Sequence, residues 1–238
     1  MRLDKFLSEC GFGTRSEIKK LIRTDRVSVV GAKSKPTADM RIDENTAEVF
    51  VDGEPVTYKK YIYLMLNKPN GYLSATYDKD KAVVLDLVPP QYRHFDLFPV
   101  GRLDIDTVGL IVLTNDGALS HRLLSPRHHI PKTYYAEVSG KLGDSEVSAF
   151  AEGMDLGDFI AQPSEMTIVS SDDDKSAAEV TIYEGKFHQI KRMFEKTGHT
   201  VTYLKRTAMN RLSLDESIGE GELRELTDRE LELLIYET

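Results

Sequence analysis

Pro99-Val-Gly-Arg-Leu-Asp-Ile-Asp-Thr-Val-Gly-Leu-Ile-Val-Leu-Thr-Asn-Asp-Gly117 falls into two halves of different character. From Leu110 to Leu113 the chain is apolar without a break, the pattern of a strand buried in a sheet. Thr114-Asn-Asp-Gly117 then reads as a turn able to cap a following helix. The first half, Gly101-Arg-Leu-Asp-Ile-Asp-Thr-Val-Gly109, sets Arg102, Asp104 and Asp106 between glycines just before a strand bound for the core. Charges that close to a core cost free energy unless they are paired or used. A turn that only reversed the chain would not need them, so the chemistry is expected here.

Working outward, 238 residues allow one large domain or a small and a medium one. Forty per cent hydrophobic residues and nine prolines describe a globular chain. The N-terminus lacks an apolar signal core, no run approaches membrane-spanning length, and one cysteine, Cys10, can form neither an internal disulfide nor a thiolate zinc site. These features predict a soluble, cytoplasmic protein. The net charge of −8 speaks against a nucleic-acid partner until its distribution is read. Residues 1–41 carry ten Lys/Arg against five Asp/Glu, while residues 42–56 carry five acids and no base, and residues 213–238 nine acids and two bases. The negative excess therefore lies in a short hinge-like stretch and the tail, and the first segment is basic.

Leu3, Phe6, Leu7 and Cys10 recur at helical spacing. Thr14-Arg-Ser-Glu17 is a capping box that opens a second helix, with Ile18, Leu21 and Ile22 on one face and Arg15, Lys19, Lys20 and Arg23 on the other. Val27–Val29 and Val49–Val51 read as short strands. Tyr61–Leu66 reads as a strand and Asn67-Lys-Pro-Asn-Gly71 as a turn, which makes Lys68 an ordinary solvated lysine on local grounds. Beyond the central stretch, residues 118–124 predict a helix, Lys132–Val138 alternates as a strand, and residues 145–152 predict another helix. Ser170–Ser176 reads as a hairpin loop, followed by a strand over Glu179–Tyr183. Ile190, Met193 and Phe194 mark a helix stopped by Gly198, Val201–Arg206 a final strand, and Thr227–Glu230 a second capping box. His121, His128 and His129 form a poor metal set: no cysteine joins them, and adjacent histidines on a proline-bounded loop suit a tetrahedral ion badly.

Four separated motifs carry a resemblance. Gly-Arg-Leu-Asp-x-Asp-Thr-x-Gly-Leu, Leu-Asn-Lys-Pro-x-Gly, Lys132-Thr-Tyr and Gly185-x-x-His-Gln-Ile-Lys-Arg-Met193 resemble the motifs of the RsuA-type pseudouridine synthases, which isomerise single uridines in ribosomal RNA. Arg-Leu-Asp-Lys-Phe-Leu near the start and Arg26-Val-Ser-Val-x-Gly31 resemble an S4 RNA-binding domain, with Ser28-Val-Val-Gly departing from the commoner Val-Asn-Gly. The resemblance implies an α+β fold. A small S4-like (αL) domain over residues 1–59 would precede a larger synthase domain over 60–238, built on a mixed, mostly antiparallel sheet flanked by helices. It implies Asp104 as the catalytic carboxylate, Tyr134 in the uracil pocket, and Lys191 as the cation paired with Asp104. RNA contacts are expected from Arg102, Lys68, Arg127, His128 and Arg192, and from the basic helix face of Arg15, Lys19, Lys20 and Arg23. Arg102 could equally fill the space left by the flipped base or pair with Asp106.

Converting uridine to pseudouridine breaks N1–C1′ and joins C5 to C1′ without redox change or group donor, so the resemblance implies no cofactor and no metal. Its implied partner is ribosomal RNA or an assembling subunit, met by a monomer away from membranes. Ser125-Pro-Arg-His-His-x-x-Lys-Thr-Tyr134 resembles the small-subunit branch, which favours 16S over 23S RNA. Rival readings fit less well. An EF-hand fails because Val108 takes a ligand position and Asn115 stands where Glu is needed. A glycosidase would place its carboxylates farther apart than residues i and i+2. A non-catalytic assembly factor is weakened by the presence of Asp104, Tyr134 and Lys191 together.

Overall fold

The computed structural model describes residues 1–236, which form two compact units, Met1–Ile62 with Pro89–Asp96 and Tyr63–Val88 with the chain from Leu97 onward. In the first, α1 (Leu3–Glu9) buries Leu3, Phe6 and Leu7. α2 (Arg15–Arg23) opens on the expected capping box: the Thr14 hydroxyl accepts from the Glu17 amide, and the Glu17 carboxylate accepts from Thr14 N at 2.7 Å. Ile18 and Ile22 are buried, Leu21 is half-buried, and Arg15, Lys19, Lys20 and Arg23 are exposed together on the far side. Three short strands, β1 (Val27–Val29), β2 (Val49–Val51) and β3 (Glu54–Val56), pair antiparallel in that order. Val27, Val49 and Val51 close the core against both helices.

The second unit begins with β4 (Tyr63–Lys68), β5 (Phe98–Pro99), β6 (Val108–Thr114) and α3 (Gly117–Leu124). β7 (Lys132–Ser139), α4 (Asp144–Glu152) and the two-residue strands β8 (Met154–Asp155) and β9 (Ile160–Ala161) follow. The chain continues through β10 (Glu165–Ser171), β11 (Lys175–Ile182), α5 (Gln189–Lys196) and β12 (Val201–Met209), and ends with β13 (Leu212–Ser213), β14 (Leu223–Glu225) and α6 (Asp228–Ile235). Its main sheet runs β10-β11-β7-β12-β6-β4-β14, with β5 and β13 as side pairings. All these pairs are antiparallel except β6 with β12. The architecture is the mixed, mostly antiparallel sheet flanked by helices that the motifs implied. β6 is buried at every position, as its apolar run required. Asp116 caps α3 by accepting from Leu119 N. On one face of the sheet Met65, Leu110 and Val112 pack with Leu119, Leu123 and Leu234. Elsewhere in the unit Phe150 of α4 meets Phe194 of α5 at 4.8 Å between ring centroids.

β4 starts two residues later than its apolar pattern suggested and runs on through Asn67 and Lys68, so the turn is confined to Pro69–Gly71. The parallel contact of β6 with β12 depends on Gly109, which sits at φ +98°, opposite Arg206. A Cβ there would stand 2.3 Å from the Arg206 carbonyl oxygen. Gly109→Ala is expected to lose roughly 2–3 kcal/mol from combined left-handed strain and overlap. Chemical denaturation checks it, and a wild-type midpoint would mean that β12 yields easily at this point.

Candidate active site

The loop between β5 and β6 carries Arg102, Asp104 and Asp106, and β4 with its following turn fixes that loop from beneath. Lys68 is fully buried. Its ammonium donates to the carbonyls of Pro69 (3.1 Å), Ile105 (3.1 Å) and Thr107 (2.8 Å). Gly71 N donates to Ile105 O, and Ser74 Oγ both accepts from Leu103 N and donates to Leu103 O. The loop also closes on itself through Thr107 N to Asp104 O at 3.1 Å. Burial lowers the Lys68 pKa to about 8, against the opposing pull of Asp106 and Asp104. This corrects the expectation of Lys68 as an RNA contact. A lysine after an apolar run reads as solvated only if the strand stops before it, and here the strand continues and takes it inside.

α5 brings the second set of groups. Lys191 Nζ lies 2.5 Å from Asp106 Oδ1 and 3.4 Å from Asp104 Oδ2, so it bridges both carboxylates and sits closer to Asp106. Burial pushes the Asp106 carboxyl up, but the Lys191 hydrogen bond and charge, with His188 nearby, outweigh it and leave the carboxyl below its ordinary value. His188 caps α5 in the left-handed region at φ +51°, which non-glycine residues rarely adopt. Its Nε2 stands 3.7 Å from Asp104 Oδ1. The turn leading into it is held by Gln189, whose side-chain oxygen accepts from Lys186 N and whose amide donates to Glu184.

A cleft in this unit is lined by Arg102, Asp104, Tyr134, Lys186, His188 and Lys191, with Leu103, Ile182, Ile190 and Leu204 among its apolar walls. Tyr134 projects from the buried face of β7 and is nearly inaccessible, 7% exposed. Asp104, Tyr134 and Lys191, from three distant parts of the chain, thus meet in one place. Arg102 is exposed at the rim, and the ion partner of Asp106 is Lys191. Arg127 and His128 lie exposed on a short turn, Pro126–His128, and do not line the cleft. Arg192 corrects a further expectation. Its guanidinium donates to Leu156 O at 2.7 Å, pairs with Asp158 and stacks over the Phe159 ring at 5.0 Å. It therefore pins the β8–β9 hairpin to α5 and is not a free cation for phosphate. Two relations around Asp104 were not legible in the sequence. His188 was visible only as part of a motif, and Asp106, rather than Asp104, proved to be the nearer partner of Lys191.

Comparison with known proteins gives the following. Residues 62–196 match the family model for RNA pseudouridylate synthase. A Bacillus subtilis protein named as an uncharacterised RNA pseudouridine synthase is 45% identical over 237 residues, covering 98% of each chain. The Escherichia coli K12 protein named ribosomal small subunit pseudouridine synthase A is 36% identical over 234 residues, covering 97% of this chain and 98% of its own. A crystal structure of a pseudouridylate synthase superposes with a TM-score of 0.68 at 36% identity, over 99% of this chain and 100% of that one.

Proposed function

The chain belongs to the RNA pseudouridylate synthase family, and from that membership we propose that it isomerises one uridine of 16S ribosomal RNA, with Asp104 as the reacting carboxylate. The convergence of Asp104, Lys191 and Tyr134 on one cleft is the observation that supports this reading. The reaction needs a carboxylate beside the sugar to open N1–C1′, a cation to keep that carboxylate ionised, and a surface to hold the detached base while it turns to present C5. Asp104 takes the first role and Lys191 the second, steadied by Asp106. Tyr134 takes the third on the floor of the cleft. A uridine must leave its stack to reach them, and the exposed Arg102 stands where it can occupy the vacated space or meet the backbone. The small-subunit assignment follows the name and full-length similarity of the Escherichia coli relative together with the Ser125–Tyr134 motif. Tritium release from C5-tritiated 16S and 23S RNA, supplied separately, tests it. Release from 16S RNA is expected, release from 23S alone would move the substrate, and release from neither would overturn the reaction.

The first unit we assign as an S4-like RNA-binding domain. Arg15, Lys19, Lys20 and Arg23 form an exposed basic row on the rigid α2, suited to phosphates rather than bases. Replacing all four by glutamine is expected to weaken RNA binding and to lower the slope of log affinity against log salt by about three. Filter binding across salt concentrations measures both. An unchanged slope would place the phosphate contacts elsewhere.

A further inference from the structure

We propose that Phe187 is the stacking platform for the nucleobase beside the target uridine, an inference that rests on the reaction assigned to Asp104. Large aromatic residues are normally covered, and Phe6, Phe150 and Phe194 of this chain are buried to 1% exposure or less. Phe187 is 69% exposed. It stands between Lys186 and His188, both of which line the cleft with Asp104. Its ring stacks on the His188 ring at 3.8 Å between centroids and 18° between planes, and His188 in turn lies 3.7 Å from the Asp104 carboxylate.

That order of groups decides which base Phe187 can serve. The extruded uridine must reach Asp104 in the cleft, where Tyr134 is nearly inaccessible from outside. Phe187 touches the face of the imidazole whose Nε2 approaches Asp104, so it meets the site through His188, which suits the adjacent nucleotide. The platform is also prepared in advance. Gln189 reaches back across Phe187 to hold Lys186 N and Glu184, and the left-handed backbone at His188 is a strained conformation kept where the geometry is needed. An aromatic ring held this way gives up little freedom on binding and accepts any base, because every base has a π-face. Exposed Lys186 and Arg102 supply positive charge for the flanking phosphates.

The test uses the full chain and its Phe187→Ala, Phe187→Trp and Phe187→Leu variants. Tritium release from ribosomal RNA gives kcat/KM, and filter binding to short oligouridines, intact or lacking one base beside the central nucleotide, reads stacking without turnover. Phe187→Ala is expected to lose about tenfold in both readouts, Phe187→Leu to fall with it, and Phe187→Trp to match wild type. Removing the flanking base is expected to cost the wild type about tenfold and the alanine variant nothing further. Wild-type values for Phe187→Leu, or equal losses from the missing base in wild type and Phe187→Ala, would overturn the proposal. Base-dependent binding without tritium release from any RNA would instead overturn the reaction and leave the stacking standing.

Discussion

Replacing Asp104 with asparagine is expected to leave folding and RNA binding intact and to reduce turnover by on the order of a thousandfold or more. The geometry explains why the effect is confined to chemistry. The Asp104 backbone carbonyl, not its side chain, closes the loop by accepting from Thr107 N. Among the described residues, the charged partners of the carboxylate are Lys191 at 3.4 Å and His188 at 3.7 Å, while Lys191 keeps its shorter bond to Asp106. An isosteric amide therefore removes the charge proposed to react without stranding the cation. Single-turnover tritium release from C5-tritiated RNA, beside thermal melting and filter binding of the same preparation, measures the three quantities. Turnover within tenfold of wild type would remove Asp104 from the mechanism.

Lys68→Met is expected to be the most destabilising single change to the site. Methionine fills a similar volume but takes the ammonium donor from the Pro69 and Thr107 carbonyls and leaves the Ile105 carbonyl with Gly71 N alone. Stranded buried acceptors cost about 1–3 kcal/mol each at most, and partial relaxation suggests a total of about 3 kcal/mol. That corresponds to roughly 6–12 °C in melting temperature for a chain of this size. Activity is expected to fall as well, because the freed loop carries Asp104 and Asp106. The pH dependence has a definite sign. The folded lysine titrates at about 8, below the value near 10.4 of the unfolded chain. Between those values the unfolded state binds the extra proton, so wild-type stability gains with rising pH there, and the gain is lost as pH falls through 8. Lys68→Met lacks this term, so the gap between the two proteins should widen from pH 8 to 10. Melting curves across that range check it, and a constant gap would contradict the lowered pKa.

The sequence disclosed what depends on near neighbours. The capping boxes at Thr14–Glu17 and Thr227–Glu230, the buried β6 and the Asp116 cap are local patterns, and each forms as read. The family motifs also pointed to Asp104, Tyr134 and Lys191, which do share a cleft. Facts set by distant partners stayed hidden. Lys68 is taken inside by carbonyls as far away as Thr107, and Arg192 is claimed by Asp158, 34 residues earlier. The preference of Lys191 for Asp106 depends on how the 102–107 loop is held, and no spacing rule fixes that.

The anchoring of the Asp104 loop also determines which molecule has to change shape. Tied to β4 and the segment after it through Lys68, Gly71 and Ser74, the loop backbone that carries Asp104 is held without help from an RNA. The work of recognition then falls on the nucleic acid, which must unstack and swing out a uridine at a cost of about a few kcal/mol. On the reaction proposed for Asp104, a protein so arranged would select among uridines by how readily each leaves its helix. Weakly stacked or mismatched positions are favoured before any base is read, and the RNA's own secondary structure becomes part of the address.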